Sequence, residues 1–137
     1  MEERSDEPKL SDIRDHWPWV KDGIQEILND QTNLTFIPED VYAACVNGQA
    51  HLWIASGGFV VTTGLTDEFT GQRTLLVWLA WAEEKGNDCV VKHFSFFCEQ
   101  AKEAGYVEIE VRTPKPFAQR WLDMGWELNH SVYTRRL

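Results

Sequence analysis

The run Arg73–Glu83, Arg-Thr-Leu-Leu-Val-Trp-Leu-Ala-Trp-Ala-Glu, limits the fold more than any other stretch of the chain. Leu75, Leu76, Val77, Trp78 and Leu79 leave it no polar face, so the strand it predicts must be buried on both sides. A sheet built around such a strand needs helices above and below it. The 137 residues amount to one domain, large enough to bury that core without staples.

The flanking sequence supplies the layers. Ile13, Trp17, Val20, Ile24, Ile27 and Leu28 recur at steps of three and four, the stripe of an amphipathic helix. Pro18 interrupts that stripe, so the helix either starts near Pro18 or kinks there. Pro38-Glu39-Asp40 opens a second, short helix with a first-turn proline and two carboxylates that suit the helix dipole. His51–Ala55 and Phe59–Thr63 are short β-branched or aromatic runs split by Gly57-Gly58, the pattern of a hairpin. Val90, Phe94, Phe97, Cys98 and Ala101 return to helical spacing, with Asn87 or Asp88 as the cap and Gly105 as the stop. Tyr106–Arg112 alternates as a strand, Phe117–Met124 is a short helix ended by Gly125, and Trp126–Arg136 is a last strand. The order is ααβββαβαβ. The expected architecture is a single α/β (α+β) domain over residues 11–137, preceded by a flexible acidic arm, 1–10.

Charge and cysteine usage narrow the function classes. The formal net charge is −9, and residues 1–40 hold eleven acidic against four basic side chains. Phosphate contacts need clustered Lys and Arg, so nucleic acid is not an expected partner. No apolar run approaches the roughly 20 residues that cross a bilayer, and the acidic opening lacks the basic region of a secretory signal. No membrane partner is expected, and the expected location is cytoplasmic. Cys45, Cys89 and Cys98 form no C-x-x-C pair, and their odd number argues against a disulfide framework. His16, His51, His93 and His130 stand at no metal-ligand spacing, so no metal is expected. Of the seven tryptophans, Trp53, Trp78, Trp81, Trp121 and Trp126 fall in elements and are expected to pack. Trp17 and Trp19 flank Pro18, where at least one is expected to be exposed to a partner, either a second copy in a homo-oligomer or another protein.

The element order, the long strand feeding a main helix, and the segment Phe117-Ala-Gln-Arg-Trp-Leu-Asp-Met-Gly-Trp126 resemble the GNAT (N-acetyltransferase) family. In that family a short helix ends in tyrosine, two or three residues, glycine and phenylalanine. Tyr133-Thr-Arg-Arg-Leu137 is similar to the family's final strand, and Ile37–Tyr42 resembles small acetyltransferase-like proteins of tailed bacteriophages. The resemblance implies a mixed, mostly antiparallel central sheet flanked by helices, acetyl-CoA as cofactor and an amine as acceptor. The family's pyrophosphate loop, Gln/Arg-x-x-Gly-x-Gly/Ala, falls on Glu83–Asp88, and Gly86 matches its first glycine. Backbone N–H groups of Lys85, Gly86, Asn87, Asp88 and Cys89 would then hold the diphosphate at a helix start.

This chain departs from the family at named positions. Glu83 and Asp88 put carboxylates where the loop usually has Gln or Arg and Gly or Ala, a degenerate cofactor loop. Trp121 stands at the tyrosine position and Pro114 at a usual asparagine. The resemblance leaves Glu83 or Glu84 as the general base, with Tyr133 as a substitute acid. Two functions follow: an acyl-CoA-dependent N-acyltransferase, or a catalytically inactive GNAT-fold phage protein. The second would serve as a virion component or a binder of a phage or host protein, in the host cytoplasm or the virion.

Overall fold

The computed structural model describes residues 7–31, 34–84, 89–113 and 119–137. Helix α1 (Ile13–Asp30) begins at Asp12, whose side chain accepts from the Arg14 backbone N–H. The helix therefore starts five residues ahead of Pro18 and runs through it. Its buried residues, Ile13, Val20, Gly23 and Ile24, lie on the stripe the spacing predicts. Helix α2 (Pro38–Val46) has Pro38 at its first position, and the Asp40 carboxylate accepts from the Ile37 N–H at 3.0 Å.

The sheet has five strands in sequential order: β1 (Lys9–Ser11), β2 (Ala50–Ala55), β3 (Gly58–Thr66), β4 (Arg73–Ala82) and β5 (Glu108–Val111). The first four pair antiparallel and β5 joins β4 in parallel, so the sheet is mixed and mostly antiparallel as expected. A parallel neighbour requires a crossover, supplied here by α3 (Cys89–Lys92) and α4 (Phe94–Glu103). The single main helix expected there is broken at His93, whose φ of −115° leaves the helical region. Helix α5 (Gln119–Leu122) follows β5, and Gly125 takes φ +96° just beyond it.

Two stretches differ from the sequence reading. Lys9 and Leu10, placed in the arm, pair with Ile54 and Trp53 as the edge strand β1. Residues 126–136, expected as the last strand, form no strand and are mostly exposed. Strand propensity is worth little without a neighbouring strand to receive it, and among the described residues none pairs with these.

The core lies in two halves divided by the sheet. On the α1/α2 side Ile13, Val20, Ile24, Val41, Leu52, Phe59, Val61 and Leu79 pack together. On the α3/α4 side Val60, Val77, Cys89, Val90 and Phe97 do so. The alternation of Phe59, Val60 and Val61 between the halves is the period-two signature of a strand buried on both faces. One irregularity redirects β4. Val61 pairs with Leu79 but Thr62 pairs with Val77, leaving Trp78 as an extra residue in a bulge. Trp78 and Leu79 consequently both pack on the α1/α2 side, and Trp81 follows them there.

The start of α1 carries a testable titration. Arg14 Nε and Nη2 donate to the Asp12 carboxylate at 2.8–3.2 Å, and with the Arg14 backbone N–H they lower its pKa to about 2. A carboxyl depressed on folding contributes stability that is present above its unfolded value, near 3.8, and lost as pH falls through about 2. Carbon-detected NMR should find the Asp12 midpoint near pH 2, and Arg14→Ala should return it towards the ordinary aspartate range.

Candidate functional site

The C-terminal end of β4 gathers the chemistry. Pairing between β4 and β5 covers Thr74–Val77 against Glu108–Val111 and stops there, while β4 continues to Ala82. Residues 78–82 therefore keep an edge that no described strand pairs. Three aromatic side chains could have plugged that side. Trp78 and Trp81 are turned to the α1/α2 face, Trp78 against Phe36, and Phe94 packs on Trp126 at 5.5 Å.

Glu83 follows directly from β4 and is held at two points. Its backbone N–H donates to Gly57 O at 2.8 Å, in the β2–β3 hairpin where Gly57 has φ +74°. Its Oε1 accepts from the Trp19 indole N–H at 3.1 Å. Trp19 is itself fixed, with its ring edge-on to Phe59 at 5.6 Å and to Trp81 at 5.5 Å. Trp81 stacks on Phe59 and donates its own indole N–H to Glu26 Oε2 at 3.2 Å. Two carboxylates from distant parts of the chain thus flank one pair of indoles. Helix α1 reaches this close because Gly23 faces the rings: a Cβ there would stand 2.6 Å from Phe59 and 2.8 Å from Trp81.

The structure brings together some of the sequence candidates and separates others. Glu83 and Glu84 are adjacent and exposed at the strand end. Lys85, Gly86, Asn87, Asp88 and Pro114 lie outside the described residues. Cys89 opens α3 with its side chain buried, and its Sγ lies 2.6 Å from where a Cβ on Gly58 would stand. Its thiol is therefore part of the α3/α4 half of the core. Tyr133 is 92% exposed in the C-terminal segment, and no described contact brings it to Glu83 or Glu84. Trp121, at the tyrosine position, packs against the α3/α4 half of the core and against Trp126.

Two further expectations change. Neither Trp17 nor Trp19 is exposed: Trp17 packs edge-on to Tyr42 at 4.9 Å and Trp19 edge-on to Phe59. Sequence spacing did not reveal Trp19 and Glu26 as neighbours of the strand end, because that depends on where α1 crosses the sheet. Cys45 and Cys98 are not poised as nucleophiles, since burial raises the Cys45 thiol to about 11 and also raises Cys98. Among the described residues no group of three or more His, Cys, Asp or Glu could hold a metal, and no helix is long and apolar enough to cross a membrane.

No family model and no curated protein matches the sequence. Solved structures do match. Ribosomal-protein-alanine N-acetyltransferase from Brucella melitensis biovar Abortus 2308 aligns with 95% of this chain and 99% of its own, at TM-score 0.67 and 16% identity. The fold is that of the GNAT acetyltransferases. A predicted acetyltransferase from Clostridium acetobutylicum, solved with acetyl-CoA, shares this GNAT fold at TM-score 0.68 and 12% identity, over 93% of this chain and 94% of its own. A tetramutant of the BH1408 protein from Bacillus halodurans does so at TM-score 0.69 and 12% identity, over 95% and 99%.

Proposed function

We propose that this GNAT-fold chain is an acyl-CoA-dependent N-acyltransferase working at the C-terminal end of β4. The observation that carries the reading is the unpaired stretch of β4 beyond Val77, with Trp78 and Trp81 turned to the opposite face. A pantetheine arm carries amide groups, and an unpaired strand edge offers the N–H and C=O groups that amides bind. The likeness to a structure solved with acetyl-CoA adds support. When bound, acetyl-CoA supplies an activated thioester.

The chain's own residues do the rest. Backbone N–H groups of Lys85, Gly86, Asn87, Asp88 and Cys89 hold the pyrophosphate, and Lys85 offsets the carboxylates of Glu83 and Asp88. Glu83 is the general base, with Glu84 as the alternate, and takes a proton from the acceptor ammonium. Trp19 holds one Glu83 oxygen and leaves the other to the amine. The indoles of Trp19 and Trp81 beside Glu26 and Glu83 suit a cationic acceptor before it gives up its proton. Tyr133 is the acid that returns a proton to the departing thiolate once the C-terminal segment brings it to the strand end.

Thermal unfolding with acetyl-CoA tests the reading. Ligand at about 100 times its dissociation constant should stabilise the fold by roughly 2.7 kcal/mol and raise the melting temperature by several degrees. An unchanged melt would overturn it. The departures from the family pattern at Glu83, Asp88, Trp121 and Pro114 favour a second reading in that event, a non-catalytic GNAT-fold protein that serves a phage as virion component or protein-binding factor.

A further inference from the structure

Two carboxylates at the end of β4 carry charge that the fold leaves unanswered. Glu26 Oε2 accepts from the Trp81 indole N–H at 3.2 Å, and Glu83 Oε1 from the Trp19 indole N–H at 3.1 Å. Both donors are neutral, so each carboxylate keeps its charge and a second oxygen for another donor. Among the described residues no ion pair reaches either one. The bases of α1 are engaged elsewhere, Arg14 with Asp12 and Lys21 with Glu39 at 3.3 Å. Arg73 opens β4 at its opposite end, where it lies over the Tyr106 ring and donates to Ala104 O.

The surface between these carboxylates is aromatic and braced. Trp19 and Trp81 meet edge-on at 5.5 Å, both half-buried, and Phe59 backs both rings. Gly23, where a Cβ would stand 2.8 Å from Trp81, sets how near α1 approaches, and Trp19 and Glu26 lie one turn to either side of it. A carboxylate beside an indole favours an ammonium, whose charge meets the anion and the ring together. Indoles between two such places favour methylenes, which leave water against them with no polar group to satisfy. The order is anion, apolar wall, anion, and its complement is a chain with a cation at each end. This surface lies on the α1/α2 side of β4, in the stretch that β5 leaves unpaired.

We propose that the acceptor is an α,ω-diamine, bound with one ammonium at Glu83 and the other on Glu26. The inference rests on the acyltransferase reading and adds to it a substrate class and a specificity-determining residue, Glu26. The ammonium at Glu83 gives a proton to that carboxylate, and the freed nitrogen bonds to the acyl carbon as the thioester C–S bond breaks. A further proton from that nitrogen ends on the departing sulfur, and Glu83 returns its own to solvent. The ammonium on Glu26 is not consumed. A monoacylated diamine leaves with one charge instead of two and no longer bridges both carboxylates.

Initial rates of thiol release from acetyl-CoA read the preference, with diamines from 1,2-diaminoethane to 1,6-diaminohexane each set against the monoamine of equal length. For the best diamine kcat/KM should exceed that of its monoamine about tenfold, and mass spectrometry should show monoacetyl product accumulating ahead of diacetyl. Glu26→Gln keeps an oxygen for the Trp81 indole and removes the charge, so it should bring that ratio near one by raising KM for the diamine. Isothermal calorimetry with the same diamine, in the absence of acetyl-CoA, reads the two-carboxylate clamp by itself. The natural chain should bind it, and Glu26→Gln should bind about tenfold more weakly. Equal rates on diamine and monoamine, or a ratio that Glu26→Gln leaves intact, would overturn the proposal while the transfer itself upheld the acyltransferase reading. Diamine binding that needs Glu26, without transfer to any amine, would overturn the acyltransferase reading and leave the clamp standing as a diamine site. Neither binding nor transfer would overturn both. Should Glu26→Gln fail to fold, the ratio in the natural chain still decides.

Discussion

Replacing Trp81 by alanine is expected to lower the melting temperature by on the order of 10–15 °C, the largest stability effect of any single change at the site. Trp81 stacks on Phe59 and meets Trp19 edge-on, each at 5.5 Å, and Gly23 of α1 rests against it. Removing an indole from such a contact costs about 3–5 kcal/mol, because the lost burial is joined by a cavity that rigid neighbours cannot fill. A protein of this length loses roughly 3–5 °C per kcal/mol. Trp81→Phe keeps a ring on Phe59 and gives up only the bond to Glu26, so it should cost about 1 kcal/mol. Gly23→Val loads the same contact from the other side, and overpacking should cost about 1–3 kcal/mol. Differential scanning calorimetry separates the three. A drop of only a few degrees for Trp81→Ala would mean that α1 can settle onto the sheet without its aromatic seat.

The same contact shows which parts of the molecule were legible in the sequence. Helix α1 could be read because Ile13, Val20 and Ile24 repeat at helical spacing, and that local period survives in the buried face. The β2–β3 hairpin could be read because Gly57 supplies a positive φ between two strand-like runs. Strand β4 announced itself by having no polar face. Strand β1 did not, since three residues are too few to show a period, and its pairing is decided by the open edge of β2. The bulge at Trp78 was equally hidden, being a mismatch between two strands rather than a property of either. Residues 126–136 have strand composition, but composition does not supply a neighbour. At the candidate site Glu83 was visible as a carboxylate at a strand end. Trp19, 64 positions away, was not, because only the crossing of α1 at Gly23 brings the two together.

Glu83→Gln is expected to lower kcat for acetyl transfer by about 10²–10⁴-fold while leaving the melting temperature within a degree or two. Glutamine keeps the shape of the side chain, and its amide oxygen can still accept from the Trp19 indole that now binds Glu83 Oε1. Only the ability to take a proton is removed, so an effect on rate without an effect on folding isolates that role. Trp19→Phe is the complementary change. It keeps an aromatic ring against Phe59 and Trp81 but releases the carboxylate, so kcat should fall by about tenfold, the rate equivalent of one hydrogen bond of about 1.4 kcal/mol. The two variants together should lose little more than Glu83→Gln alone, because Trp19 acts through Glu83. Initial rates on a panel of primary amines, read as free thiol released from acetyl-CoA, measure all three. Additive losses would place the work of Trp19 elsewhere, and full activity in Glu83→Gln would move the base to Glu84. Loss of activity with a matching collapse of the melting temperature would instead make the strand end a structural clasp between α1 and β4.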